Sequence, residues 1–127
     1  MNSNQQNMPI LIVDDYKTTL RIVRTLLKQI GFDNVEEALT ADDAIARVRK
    51  KSYGLVICDW NMSPKSGFDL LQEIRSDGGL CETPFVMIVP PSDEDYIEQS
   101  IAAGADSHIT KPFKANALKT ALIKALG

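Results

Sequence analysis

The chain is predicted to adopt an α/β fold, a doubly wound parallel sheet with helices on both faces. Three observations predict it. Short, nearly continuous apolar runs recur at residues 10–13, 55–58 and 85–89, with weaker ones at 34–39 and 107–110. Segments between them place apolar residues at three- and four-residue spacing, the period of a helix with one buried face. The connections are short, with no internal repeat, linker or low-complexity tract. Runs apolar on both faces suit strands covered on both sides, which is the parallel case.

Each element has a local reason. Ile10-Leu11-Ile12-Val13 reads as a buried first strand running into Asp14-Asp15. Leu20, Val23, Leu26, Leu27 and Ile30 then mark a helix, with Lys17, Arg21, Arg24 and Lys28 between them and Gly31 as its stop. Residues 34–39 form a weaker strand near an edge. Thr40 caps a second helix, with Asp42 and Asp43 in its first turn and Ala44, Ile45 and Val48 inward. After Gly54, Leu55-Val56-Ile57-Cys58-Asp59 reads as the central strand. Residues 61–67 read as loop, and Phe68, Leu70, Leu71 and Ile74 as a short helix ended by Asp77-Gly78-Gly79. Pro84 opens a fourth strand, residues 85–89, which Pro90-Pro91 closes. Ser92 is placed to cap a helix with Asp93, Glu94 and Asp95 in its first turn and Ile97, Ile101 and Ala102 inward, ending at Gly104. Residues 107–110 give a fifth strand. A last helix runs from about Lys114 to Leu126 with Leu118, Ala121, Leu122 and Leu126 inward. Among small folds with this alternation, the flavodoxin-like arrangement with strand order 2-1-3-4-5 is expected.

Length and composition suit one domain over residues 9–127, preceded by a short polar lead-in over residues 1–8 that is expected to be disordered. The chain is 44% hydrophobic and 24% charged, with net charge −3. That balance gives no general attraction to nucleic acid or an anionic membrane surface. No apolar run approaches bilayer length, and the N-terminus lacks the apolar segment of a signal peptide. Cys58 and Cys81 read as free thiols in a reducing compartment, which points to the cytoplasm. One histidine and no close Cys/His cluster argue against structural zinc.

Parallel strands present their carboxyl ends on one edge, where open α/β sheets bind ligands. A charge is too costly within a doubly buried strand, so Asp59 belongs at the end of its run. The first strand brings Asp14 and Asp15 to the same edge, and Lys111 follows the fifth. Taken singly, each has a plain explanation: Asp15 as a helix cap, Asp59 as a polar strand end, Lys111 as a surface lysine. Together, three crowded carboxylates repel one another unless a cation joins them. Oxygen ligands favour a hard divalent ion, Mg²⁺ in a cell. A nucleophilic aspartate beside Mg²⁺ can attack a phosphoryl group to form an acyl phosphate, with metal and lysine stabilising the added charge.

Asp14-Asp15, Asp59 and Lys111-Pro112-Phe113 on this alternation resemble the receiver domain of two-component response regulators, over essentially the whole chain from Pro9. Asn34-Val35-Glu36-Glu37-Ala38 and Asp59-Trp60-Asn61-Met62 look most like the stand-alone chemotaxis receivers of the CheY type. The resemblance implies Asp59 as phosphoacceptor and a histidine kinase as donor. It implies Mg²⁺ held by Asp14, Asp15, Asp59 and the backbone carbonyl of Asn61. It gives Lys111 to the phosphoryl group and a cis Lys111-Pro112 peptide. A partner face would include Tyr96, Gln99, His108 and Lys119, with a flagellar motor or another signalling protein as target. The protein would be a monomer that promotes only its own phosphorylation and dephosphorylation, with no output domain following.

Two positions depart from the family pattern. Val89 stands where receivers usually carry Ser or Thr at the end of the fourth strand, and His108 replaces the usual switch aromatic. Pro90-Pro91 also stiffens the turn that follows. His108 reads either as part of the partner face or as a pH-sensitive switch. The leading expectation is phosphorylation-dependent signalling with an altered switch. The alternatives are a degenerate receiver that binds its partner regardless of phosphate, a phosphate sink or relay, and a small enzyme or flavin binder. The last lacks the Gly-rich phosphate loop such sites use.

Overall fold

The computed structural model describes residues 7–91 and 94–127. The elements in chain order are β1 (Ile10–Val13), α1 (Lys17–Gln29), β2 (Val35–Ala38), α2 (Ala41–Lys50), β3 (Leu55–Asp59), α3 (Gly67–Ser76), β4 (Phe85–Val89), α4 (Glu94–Ala102), β5 (Ser107–Thr110) and α5 (Ala115–Leu126). The strands form one sheet in the order β2-β1-β3-β4-β5. Every pairing is parallel. Fold class and strand order therefore match the sequence expectation.

The period of two along each strand divides the core into two layers. Leu11, Val13, Val56, Cys58, Met87 and Val89 face α2, α3 and α4. Ile10, Ile12, Leu55, Ile57, Val86, Ile88 and Ile109 face α1 and α5. Both faces of β3 and β4 are buried throughout, which is why their sequences show no alternation. β2 lies at an edge, and its Glu36 and Glu37 are only part-buried, in keeping with its weaker apolar signal.

The caps follow local chemistry. Thr40 Oγ1 accepts the Asp43 N–H at the start of α2. Ser66 and Asp69 form a reciprocal capping box on α3, a signal present in Ser66-Gly67-Phe68-Asp69 but absent from the expectations above. Gly31 and Gly104 adopt positive φ of 103° and 104° just past α1 and α4, as their placement at helix ends anticipated. The expected Ser92 cap and Asp93 lie outside the described residues, and so does most of the polar lead-in. Asn7 and Met8, assigned to that lead-in, already touch the domain: Asn7 O accepts the Asn34 side-chain amide, and Met8 packs against the core.

The inner face of α4 differs from expectation. Ile101 is 54% exposed and Ala102 is exposed, whereas Tyr96, Ile97 and Ala103 pack against the core and Ser100 is fully buried. Ser100 is tolerated inside because its hydroxyl donates to Tyr96 O one turn earlier. The helix therefore turns a 96/97/100/103 stripe inward.

Arg75 on α3 joins three segments. Its guanidinium donates to the carbonyls of Gly104, Cys81 and Thr83 and pairs with Asp106, which also accepts the Phe85 N–H. Its side chain is only 18% exposed. Arg75→Met is expected to destabilise the fold by about 2–3 kcal/mol, because hydrogen bonds to a charged group are lost together. Urea unfolding checks this as a lower midpoint at unchanged slope, and an unchanged midpoint would remove the assigned role.

Candidate functional site

The ends of β1 and β3 build the site. Val13 pairs with Cys58 in the parallel register, so the next residues, Asp14 and Asp59, lie side by side. Asp14 is 2% and Asp59 3% exposed. Asp14 is held in place by its own N–H donating to Ala38 O and by Oδ1 accepting the Tyr16 N–H at 2.9 Å. Asp14 Oδ2 and Asp59 Oδ1 are buried without a hydrogen-bond partner. Lys111 Nζ approaches Asp59 Oδ1 to 3.0 Å as an ion pair. Its position follows from the sheet: the Lys111 N–H donates to Val89 O, extending the β4–β5 pairing by one residue. The Lys111-Pro112 peptide is cis, as expected, and so is Ser63-Pro64.

Burial and crowding show in the titration of the two carboxylates. Burial pushes Asp14 up to about 6, with the charges of Asp59 and Asp15 adding to the rise, against the Tyr16 N–H and Lys111. Asp59 is raised for the same first reason, with Lys111 opposing and Asp15 reinforcing. Both groups are held where a neighbouring cation is favoured. Asp15 is exposed at the rim. It does not cap α1, whose N-cap residue is Tyr16 with no side-chain capping bond. The plain explanation of Asp15 as a helix cap therefore does not hold.

These donors suit a hard divalent ion. Asp14 Oδ2 is buried without a partner, Asp59 Oδ1 is met only by the Lys111 ammonium, a third carboxylate stands close enough to raise both pKa values, and Asn61 is exposed in the loop that follows. They do not form a finished cage: among the described residues no three acidic, thiol or imidazole groups already surround one point.

The loop after β3 is pinned on both sides. Gly67, the first residue of α3, donates its N–H to Trp60 O at 2.9 Å. A Cβ on Gly67 would sit 2.2 Å from Asp59 O, so no larger residue fits there. Lys65 pairs with Asp42 of α2 and Glu73 of α3 at 2.8 and 3.0 Å. Trp60 stacks on Phe68 at a centroid distance of 5.0 Å and meets Tyr96 of α4 edge-on at 4.7 Å. Sequence reasoning missed this aromatic group and Gly67. Asp59-Trp60 adjacency was the available signal for the first, and nothing short of the α3–β3 approach reveals the second.

The remaining expected positions separate. Val89 is the last residue of β4, fully buried, with Thr110 opposite. His108 is half-buried, with Nδ1 enclosed and unpartnered. Burial and then Lys124 lower its pKa, which favours the neutral ring at pH 7. It lines an open groove of about 540 Å³ between β5 and α5 with Phe113, Asn116, Thr120 and Lys124. Gln99 and Lys119 are exposed. Tyr96 is not freely presented, because its ring rests on Trp60.

Known proteins agree with this geometry. Residues 10–123 match the model of the response regulator receiver domain family. The chain is similar to chemotaxis protein CheY-3 of Vibrio cholerae, 41% identical over 94% of this chain and 92% of the relative. It is also similar to chemotaxis protein CheY of Pseudomonas aeruginosa, 36% identical over 92% of this chain and 94% of that one. The solved structure of the chemotaxis response regulator CheY4 of Vibrio cholerae superposes with a TM-score of 0.84 at 27% identity, over 94% of this chain and 99% of that chain. The paired carboxylates of β1, the aspartate of β3 and the lysine after β5 stand on a receiver fold, and the chain belongs to the response regulator receiver domain family, among its CheY-like members.

Proposed function

We propose that this protein accepts a phosphoryl group on Asp59 from a histidine kinase and signals by protein–protein contact, in chemotaxis as its relatives' names suggest. Receiver domains take phosphate from histidine kinases and act on downstream targets. The observation that carries the reading is the buried Asp59 carboxylate at the carboxyl end of β3, paired at 3.0 Å with Lys111 and flanked by Asp14.

In this reading one Asp59 oxygen attacks phosphorus, the bond from phosphorus to the donor nitrogen breaks, and an acyl phosphate forms. Lys111 follows the added negative charge, moving from the carboxylate to the phosphoryl oxygens. Asp14, Asp15, Asp59 and the Asn61 carbonyl would hold Mg²⁺, which when bound offsets charge on the transferring group. The burial of Asp14 and Asp59 limits competing water around the nucleophile. The chain acts on no substrate but its own aspartate, and Gln99, His108 and Lys119 offer contacts for a motor protein or other target. None of the described helices is long and apolar enough to cross a membrane, and a cytoplasmic site of action fits the free thiols of Cys58 and Cys81.

The test is intact mass after incubation with Mg²⁺ and acetyl phosphate. One added phosphoryl group is expected, and none in Asp59→Asn. Equal gain in that variant would move the acceptor elsewhere.

A second reading is favoured by Val89, fully buried and without a hydroxyl where the phosphoryl group would be met. The chain would then bind its partner with or without phosphate, or serve as a phosphate sink or relay. Val89→Thr is expected to strengthen the phosphorylated active state by about 1.5–3 kcal/mol, the range of a hydrogen bond to a charged group. Partner affinity measured with and without acetyl phosphate checks it. A phosphate effect no larger in Val89→Thr than in the parent protein counts against a missing hydroxyl as the cause.

A further inference from the structure

The two positions that carry the conformational signal in the family pattern lack their usual chemistry here, yet the proposed phosphoacceptor is physically joined to α4 by another path. Trp60 follows Asp59 directly and precedes Asn61. Its N–H donates to Ile88 O and its carbonyl accepts the Gly67 N–H, so the backbone at the site is fixed to β4 and α3. Its indole packs against aromatic rings of α3 and α4. One face stacks on Phe68 of α3, with the planes 28° apart. Tyr96 of α4 meets it at an interplanar angle of 63°. Trp60 and Tyr96 are both half-buried, packed against the core beneath α3 and α4.

We propose that Trp60 and Tyr96 form the relay by which the state of Asp59 reaches α4, in place of a hydroxyl-and-aromatic pair at Val89 and His108. A rigid indole attached to the residue between Asp59 and Asn61 turns small backbone changes into displacement at its rim. Tyr96 is the α4 ring against that rim, and an edge-on aromatic contact depends on orientation as well as distance. Its neighbours on the inward stripe of α4, Ile97, Ser100 and Ala103, transmit the shift to the packing of the whole helix. The exposed face, with Gln99 and Ile101, then changes position relative to β5. His108 is tied to a different surface, the groove against α5, and Val89 offers no polar contact to move toward. The inference rests on the reading of Asp59 as phosphoacceptor.

The experiment measures hydrogen exchange of the α4 amides in the full chain with Mg²⁺, with and without acetyl phosphate, and intact mass on the same samples. The variants are Tyr96→Ala, Tyr96→Phe and Trp60→Ala, each first shown to be folded by circular dichroism. In the parent protein, phosphorylation is expected to change exchange in α4 by roughly threefold to tenfold, the range an aromatic pair supports. Tyr96→Phe keeps the ring and should keep the response. Tyr96→Ala and Trp60→Ala should gain the phosphoryl group normally and lose the response. An unchanged response in both alanine variants overturns the relay, as does a phosphorylated parent whose α4 is silent. In either case the added mass leaves the phosphoacceptor reading standing. Absence of added mass in the parent overturns that reading and the relay with it.

Discussion

Gly67→Ala is expected to destabilise the protein by about 1–3 kcal/mol, the range of overpacking in a well-packed core. Helix propensity alone predicts the opposite sign, since alanine favours a helix over glycine by about 1 kcal/mol. Geometry decides. The added Cβ would meet Asp59 O at 2.2 Å, the Asp59 carbonyl carbon at 3.0 Å and Cys58 Sγ at 3.1 Å. The first two are backbone atoms of a buried strand, so the clash is relieved only by moving α3. Gly67 does not have a positive φ, so its requirement is space and not conformation. The shift would also break the Gly67 N–H bond to Trp60 O and displace the loop carrying Asn61. Mg²⁺ affinity, read from Trp60 emission, should therefore fall together with the urea midpoint. A variant as stable as the parent protein would show that α3 moves away at little cost.

The metal-free protein should carry a pH-dependent penalty at Asp14 that a divalent cation removes. Burial raises the folded-state pKa from 3.8 to about 6, so between those values the folded state binds more protons than the unfolded one. Stability from this group is then present at low pH and is lost as pH rises through about 6. At about 1.4 kcal/mol per unit, the loss is on the order of 3 kcal/mol, and Asp59 contributes in the same direction. His108 works oppositely: its lowered pKa removes stability as pH falls below about 6.5. The informative quantity is therefore a difference between variants. Asp14→Asn should raise the thermal midpoint of the metal-free protein at about pH 7.5 and change it little at about pH 4. In the parent protein, Mg²⁺ should raise the midpoint at the higher pH, and in Asp14→Asn it should not. Parallel melting behaviour of the two proteins at both pH values, with and without Mg²⁺, would sink the account.

The pattern of agreement has a physical basis. Strands buried on both faces must be continuously apolar, so β1, β3 and β4 were visible as runs, and a carboxylate after such a run had to lie at its end. Asp14, Asp15, Asp59 and Lys111 were legible for that reason, because parallel topology sends them all to one edge. The caps at Thr40 and the glycine stops at Gly31 and Gly104 are short-range chemistry and were equally legible. The α4 stripe was not. A nine-residue helix with few large apolar groups carries a weak period, and Ser100 turns inward only because its hydroxyl is satisfied within the helix.

Contacts between distant elements lay beyond the one-dimensional pattern. The unpartnered Asp14 Oδ2 arises from burial by neighbouring chain, and the rise of Asp14 to about 6 follows from it. Arg75 reads as a surface helix residue until α3 is packed against three carbonyls from two other segments. Gly67 reads as an ordinary loop glycine until its α-carbon is brought against Asp59 O. Tyr96 reads as a partner-face residue until its ring meets Trp60, 36 positions earlier in the chain. Local sequence specifies period, caps and strand ends because those depend on near neighbours. Burial of a charge, close backbone approach and the meeting of two rings depend on how the layers close, and it is there that this receiver's own character is set.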